Sequence, residues 1–517
     1  MIAITRALLS CADKTGLDRL AKALAKQGVE LVASGGTADY LAKQGLQVTS
    51  VEAFAGIPEQ LDGRVKTLHP KIHAGILARR DDPAHVQAVG PQGLIDLVIV
   101  NLYPFESTVA RPGAAKAEAI EQIDIGGVAL LRAAAKNASG VAAVSQPSQY
   151  ERVIAALDRG RLPEALAGEL AVEAFRLTSA YDAAIAGYLA GCNSLPAGQA
   201  SGVAALPPQA SVTIEQRMPL RYGENPHQQG AWYAPPHTAE GLAALKQLQG
   251  KTLSYNNLMD IDAAVRGVLE FPGPACAIIK HASLCGLAAG ASAGAAYERA
   301  LACDPESAFG GIVGFNREVD EAAATQLIAT FLEVIVAPSV APAALTVFAK
   351  KAKLRVITLA WPSQPPAGLE WRPLLGGWLV QQPDLPLLNG DPKIVTTRAP
   401  TEAQRRDLLF AWRAAKLVRS NGIVFALHEA TVGIGQGQPS RVGSVRLAIE
   451  KAGARANGAV AASDGFFPFP DSVDLLAEAG VTAVIQPGGS VKDAEVVAAA
   501  DRLGIAMLLT GIRHFRH

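Results

Sequence analysis

Lys280 and His281 stand side by side at the end of an apolar run, Ala275–Lys280. An imidazole, with a free pKa near ~6.5, suits proton transfer at neutral pH. An adjacent ammonium favours its neutral, basic form. A second group of residues suits an anion. Ser34-Gly35-Gly36-Thr37 lies between an apolar run and a helical pattern, where glycines let the backbone approach a phosphate and the helix offers free N–H groups. Downstream, Arg64, Lys66, His69, Lys71 and His73 put five basic or imidazole side chains within ten residues. Asp124-Ile125-Gly126-Gly127 then opens a helix, Val128–Asn137, carrying Arg132 and Lys136 at i, i+4. Each stretch has a plainer reading: a capped turn, a solvated basic loop, a surface helix with ordinary cations.

Cys276, His281 and Cys285 invite a zinc reading, but neither the deaminase H-x-E with P-C-x-x-C nor any C-x-x-C occurs. No metal is expected. The glycine-rich Gly433–Arg441 (GIGQGQPSR) has no acidic residue at the distance a dinucleotide fold requires. Arg221–Gln228 (RYGENPHQ) is too polar a loop for core.

These residues need elements to hold them. Before residue 190, short apolar strands alternate with helical patterns, the mark of a parallel α/β sheet. Ala7–Ser10 leads into helix Leu17–Gln27, and Glu30–Ala33 into helix Ala38–Gln44. Leu94–Val100 reads as a strand covered on both faces. Ligands of such sheets sit beyond the carboxyl ends of the strands. Residues 191–211 are rich in Gly, Pro, Ala and Ser, uncharged, and read as a linker. Beyond it a loose repeat appears. Ala275–Lys280, Asp304–Phe315 and Glu333–Pro338 answer to Ile423–Leu427, Ser463–Phe469 and Thr482–Pro487. The expected division is therefore 1–190, linker 191–211, and 212–517 with subdomains 212–390 and 391–517.

At 517 residues, one core is too few. Lys plus Arg equals Asp plus Glu at 47 each, so no global field recruits nucleic acid or membrane. Five cysteines form no secreted framework, Met1–Leu9 is too short for a leader, and no apolar run is bilayer-sized. A cytoplasmic protein is the expectation.

The motifs DKTGL, LVASGGTA, GRVKTLHPKIHAGILARR, NLYPF and EQIDIGGVALLRAAAKN, in this order, resemble the inosinate cyclohydrolase domain of the bifunctional purine-synthesis family. LRYGENPHQ, KHASLCG, CDPESAFGGIVGFN, EVIVAP, LLFAWRAAKLVRSN, VGIGQGQPSRV, SDGFFPFPDSV, IQPGGSVKD and TGIRHFRH resemble its AICAR formyltransferase domain. The resemblance implies a methylglyoxal-synthase-like α/β domain, followed by two cytidine-deaminase-like α/β subdomains without zinc. It implies 10-formyltetrahydrofolate as co-substrate and a homodimer with its transferase site across the interface.

For ring closure, the resemblance gives ligand contacts to Asp13, Lys14, Ser34, Gly35, Gly36, Thr37, Arg64, Val65, Lys66, Thr67, Asn101, Asp124 and Ile125. It makes Lys136 the proton-transfer residue, supported by Lys66, Tyr103 and Asp124. Ala12 stands where the family usually has serine. For formyl transfer it makes His281 the base, assisted by Lys280. Substrate contacts fall to Arg221, Tyr222, Gly310, Glu333, Asn421 and Arg441. Phe466, Asp471, Ser472 and Arg513 would surround the folate or the phosphate. Ser283-Leu284 replaces the Asn-Pro frequent in bacterial members.

The amine of an aminoimidazole carboxamide is a poor nucleophile because its lone pair is delocalised. A positioned base contributes ~10²–10⁴-fold, and cyclisation pulls an unfavourable transfer forward. A phosphate sensor is the rival reading from another class, and it predicts decay at Lys66, Asp124, Lys136, Lys280 and His281, all of which remain. A metal-dependent deaminase lacks its ligand motif. A transferase crippled by Ser283-Leu284 would leave ring closure alone.

Overall fold

In the computed structural model, the apolar runs of the first unit form five parallel strands. They are β1 (Arg6–Cys11), β2 (Glu30–Ala33), β3 (Thr49–Ser50), β4 (Leu97–Asn101) and β5 (Ala142–Val144), in the order β3-β2-β1-β4-β5. The structure describes all residues except 62, 112, 191–205, 207, 237 and 363–367. Most of the expected linker thus lies outside the described residues. The chain divides into Met1–Thr213 and Ile214–His517.

Successive residues of a strand point to opposite faces, and two cores result. Leu9, Leu97 and Ile99 pack with α1 (Leu17–Lys26) on one side. Leu8, Val98 and Val100 pack with α3 (Pro70–Leu77) and α4 (Gly126–Lys136) on the other, and α2 (Gly35–Lys43) follows β2. A long α5 (Glu164–Leu189) closes against α4 and β5. The ladder of β4 starts at Leu97 rather than at Leu94. The carboxylate of Asp96, buried, takes the Thr5 N–H at 3.0 Å and Arg80 at 3.0 Å, while its backbone bonds Arg6 O and the Ala142 N–H.

Helices α2 and α4 begin on their glycines, before the positions Ala38 and Val128 suggested by apolar periodicity. At Gly126 a Cβ would stand 2.6 Å from Thr67 Oγ1, and at Gly127 2.5 Å from the Asp124 carboxylate. Glycine lets the helix start against both.

The second unit carries a 12-stranded sheet. Its first half is a hairpin, β6 (Ala275–Lys280) and β7 (Ser283–Ala289), then β8 (Ile312–Phe315), β9 (Val334–Ala337) and β10 (Arg355–Thr358). The second half repeats it as β11 (Ile423–Leu427), β12 (Ala430–Gly435), β13 (Val460–Ser463), β14 (Ala483–Gln486) and β15 (Ala506–Leu509). Between edge strands Lys246–Gln249 and Lys393–Ile394, the order is β10-β9-β8-β6-β7-β12-β11-β13-β14-β15. It reads as the same arrangement from either end, a two-fold repeat more regular than the sequence pattern alone.

The repeat extends to single atoms. Each hairpin has a two-residue turn with both residues left-handed: His281 and Ala282 at φ 52° and 54°, His428 and Glu429 at 53° and 57°. Such turns match strand twist but cost non-glycine residues energy. In both, a carboxylate from the preceding helix takes the two N–H groups. Asp260, on α6 (Tyr255–Leu269), accepts from His281 at 3.2 Å and Ala282 at 2.6 Å. Asp407, on α7 (Glu402–Ala415), accepts from His428 at 2.8 Å and Glu429 at 2.7 Å. Asp407→Ala should therefore destabilise the second unit by about 1–3 kcal/mol, measured as a lower urea midpoint by tryptophan fluorescence, with ring closure unchanged.

Candidate active sites

At the carboxyl edge of the first sheet lies a cavity of about 670 Å³. Two helix N-termini enter it, those of α2 and α4. Ser34, the N-cap of α2, does not cap its helix; its hydroxyl donates to Ser10 Oγ at 2.8 Å. The N–H groups of Gly35 and Gly36 have no acceptor among the described residues. Lys66 Nζ comes within 3.8 Å of where a Gly35 Cβ would stand, and Lys14 and Arg64 line the same wall. Free N–H groups, a helix dipole and three cations make an anion cradle.

Across the cavity is an acid. Asp124 accepts from the Gly127 N–H at 2.7 Å, and burial pushes its carboxyl above the ordinary carboxylate range. Its own N–H donates to Tyr181 Oη at 2.9 Å, so α5 holds the loop from behind. Asn101 holds the other loop: its amide bonds the Asp13 N–H and C=O, both at 2.7 Å.

Lys14, Ser34, Gly35, Gly36, Thr37, Arg64, Lys66, Thr67, Asn101, Tyr103, Asp124 and Ile125 all line this cavity. Three expected residues do not. Asp13 is exposed and turns its carboxylate to the Thr15 N–H, and Val65 pairs with Gln60 through its backbone. Lys136 is exposed at the far end of α4; the next residue, Asn137, bonds Ile76 O and Ala78 O near the start of β4. Ser10, Glu121, Gly126 and Gly127 also line the cavity without having been singled out as ligand residues. The two glycines were legible only as a helix opening.

In the second unit, the register places the expected residues along one sheet edge. Ile279 pairs with Ile312 and Leu284, and Gln436 Nε2 donates to Leu284 O at 2.9 Å. Gly435 pairs with Ile423, which pairs with Ser463. Lys280, His281, Gly310, Glu333, Asn421 and Asp464 thus share that edge. Ser283-Leu284 sits inside the hairpin: Leu284 is buried and pairs with Ile279, with a bulge at Cys285 directly after it.

A cavity of about 470 Å³ opens there, lined by Lys280, His281, Ser283, Asp304, Ser307, Gln436 and Lys451 among others. Lys280 Nζ donates to Phe309 O at 2.7 Å, and Lys451 pairs with Asp304 at 2.9 Å. Cys285 and Cys303 also line it. Burial pushes their thiols up to about 12 and about 11, so neither offers a thiolate nucleophile at neutral pH.

The remaining expected residues lie off this cavity. Glu333 bonds Arg355 at 2.6 Å, and Gly310 takes the left-handed conformation at φ 75°. Arg221 lies over the Tyr222 ring at 5.4 Å in the loop after strand Glu215–Leu220. Arg441, buried, reaches Asp464 at 2.5 Å, Ser463 Oγ at 2.8 Å and Asn421 Oδ1 at 2.9 Å. Arg513 stacks on Phe515 at 4.5 Å, while Phe466 is partly exposed. Asp471 and Ser472 begin α8 (Asp471–Glu478), and the Ser472 hydroxyl is buried without a partner among the described residues.

The MGS-like domain matches residues 16–129, and the AICARFT/IMPCHase bienzyme matches residues 134–451. The chain belongs to the AICARFT/IMPCHase bienzyme family. A relative from Sorangium cellulosum (strain So ce56), the bifunctional purine biosynthesis protein PurH, is 50% identical over 525 residues, covering 99% of this chain and 100% of the relative. A solved chain, the crystal structure of ForH, is 36% identical with a TM-score of 0.33, covering 35% of this chain and 95% of its own. No helix among the described residues is long and apolar enough to cross a membrane.

The bienzyme's ring-closing rate should fall on acidification at a pH above the ordinary carboxylate range, because burial raises Asp124 and its ionised form is the acceptor. A rate–pH profile with formylated ribotide checks this. Asp124→Asn should remove that acid limb along with most of the rate.

Proposed function

We propose that the first unit closes the purine ring in its 670 Å³ cavity and that the edge carrying Lys280 and His281 transfers the formyl group. As a member of the bienzyme family, the chain carries both activities. It formylates AICAR from 10-formyltetrahydrofolate and converts the product, FAICAR, to IMP with loss of water.

The observation that carries the ring-closing assignment is the convergence of two helix N-termini with Lys14, Arg64 and Lys66. The ribotide phosphate meets the free N–H groups of Gly35 and Gly36. The carboxamide nitrogen attacks the formyl carbon, a C–N bond forms, and the formyl oxygen leaves as water. Lys66 stabilises charge on that oxygen while Asp124 orients the amide. The expected proton-transfer residue, Lys136, lies at the far end of α4, outside this cavity.

In the transferase, the AICAR amine attacks the formyl carbon as His281 takes its proton. The bond to folate N10 breaks and N10 regains a proton, while Lys280 holds the developing oxyanion. The turn set by Asp260 supports this, because it fixes where the His281 ring projects.

We read the enzyme as a cytoplasmic homodimer. Glu333 and Asn421 flank strands β9 and β11, which are five strand spacings apart, about 24 Å at ~4.8 Å each. One ribotide is too short to touch both. Contacts from Gly310 and Glu333 and contacts from Asn421, Arg441, Phe466, Asp471, Ser472 and Arg513 serve one substrate if two copies each supply a half. Arg221 and Tyr222 complete the substrate contacts.

The test is separation of the half-reactions. His281→Ala should lower formylation of AICAR by ~10²-fold or more and still cyclise supplied FAICAR at the wild-type rate. Lys66→Ala should do the reverse, letting FAICAR accumulate. Loss of both reactions in either variant would sink the division of labour.

A further inference from the structure

The residues after β15 form a strap along the sheet edge that carries Asn421 and Asp464. The Thr510 N–H donates to Gln486 O at 3.0 Å, and the His514 N–H to Asp464 O at 3.1 Å. Further on, Arg516 O accepts from the Ser420 N–H at 2.9 Å. Exposure alternates along the strap, as it does along an extended chain. Arg513 and Phe515 are exposed, and His514 between them is buried.

The outward pair stands beside the buried Arg441. A Cβ at Gly465 would lie 2.5 Å from the Phe515 ring and 2.7 Å from the Arg441 guanidinium. Arg513 stacks on Phe515 at 4.5 Å and has no ion pair among the described residues. An uncommitted guanidinium there suits an anionic group of a substrate, a ribotide phosphate or a folate carboxylate.

The inward residue holds the strap. His514, 1% exposed, lies against the Trp412 ring at 4.8 Å. Its Nδ1 meets the Asp384 carboxylate at 2.6 Å, and its Nε2 meets Leu387 O at 3.1 Å. Carboxylate and carbonyl oxygens only accept, so both nitrogens donate. The loop that supplies these acceptors is itself pinned. Trp412 Nε1, on α7, donates to Leu387 O at 2.8 Å, and Lys416 Nζ donates to Leu385 O at 2.9 Å. An apolar side chain is the ordinary occupant of so buried a position. It would fill the space without tying the strap to the loop.

We propose that His514 is a positioning residue of the formyl transferase. Bonded to Asp384 and Leu387, it sets the strap so that Arg513 and Phe515 meet an anionic substrate group beside Arg441. This rests on the reading of Arg513 as a contact of the ribotide or the folate.

A double-mutant cycle on the full-length enzyme tests it. Formyl transfer is measured with AICAR and 10-formyltetrahydrofolate varied in turn, for His514→Leu, Arg513→Ala and the double variant. His514→Leu should raise one KM roughly tenfold, the worth of one charge-assisted hydrogen bond, with kcat nearly unchanged. Arg513→Ala should raise the same KM, and which KM it is tells phosphate from carboxylate. The double variant should be no worse than Arg513→Ala alone, because a residue that acts through another adds nothing once the other is gone. A purely stabilising role would lower the urea midpoint and leave that KM alone. Asp384→Asn, at a partly exposed carboxylate, should raise the same KM by less, and it serves if His514→Leu does not fold. Positioning is overturned if Arg513→Ala raises a KM that neither of these variants moves, or if the losses multiply in the double variant. If Arg513→Ala leaves both KM values at wild type, the reading of Arg513 fails first and the role of His514 falls with it.

Discussion

Backbone N–H groups need acceptors, and both candidate sites are arranged around that requirement. In the second unit the protein supplies the acceptor itself. The carboxylates of Asp260 and Asp407 each take the two N–H groups of a left-handed turn, and the sharp hairpins that follow are held in place. In the first unit the protein withholds it. Ser34 spends its hydroxyl on Ser10, leaving Gly35 and Gly36 with N–H groups that point into a cationic cavity. A phosphate is the acceptor that such an arrangement lacks.

The repeat in the second unit shows how one framework carries unlike halves. The two turns are matched in conformation and in their carboxylate clamps, yet Lys280–His281 answers to Leu427–His428. The first turn lies at the edge shared with Asn421 and Asp464; the second, by strand direction, lies at the opposite edge. At the shared edge the second half buries an ion pair, Arg441 with Asp464, bonded on to Ser463 and Asn421. Desolvating two charges is costly unless their remaining groups are bonded, and here Asp464 Oδ2 is buried without a partner among the described residues, whereas the first half presents an exposed imidazole.

Much of the fold was legible along the chain because its signals are local. Apolar strands Glu30–Ala33, Ala275–Lys280 and Ile423–Leu427 have their expected bounds, since a strand buried on both faces reads as a continuous apolar run. Misjudged ends have specific causes. Glycines that look like loop are the first turns of α2 and α4. Helix periodicity is carried by apolar side chains, and glycine has none.

By itself the sequence determined which residues could do chemistry and that an anion-binding α/β unit precedes a repeated one, because residue type, spacing and motif order are properties of the chain. Only the tertiary structure decided which of those residues meet. It gathered Ser34, Lys66 and Asp124 around one cavity and separated Lys136 from them by the length of a helix. It put five strand spacings between Glu333 and Asn421. Distance between residues far apart in sequence depends on sheet order and helix direction, and neither is written in any short stretch of the chain.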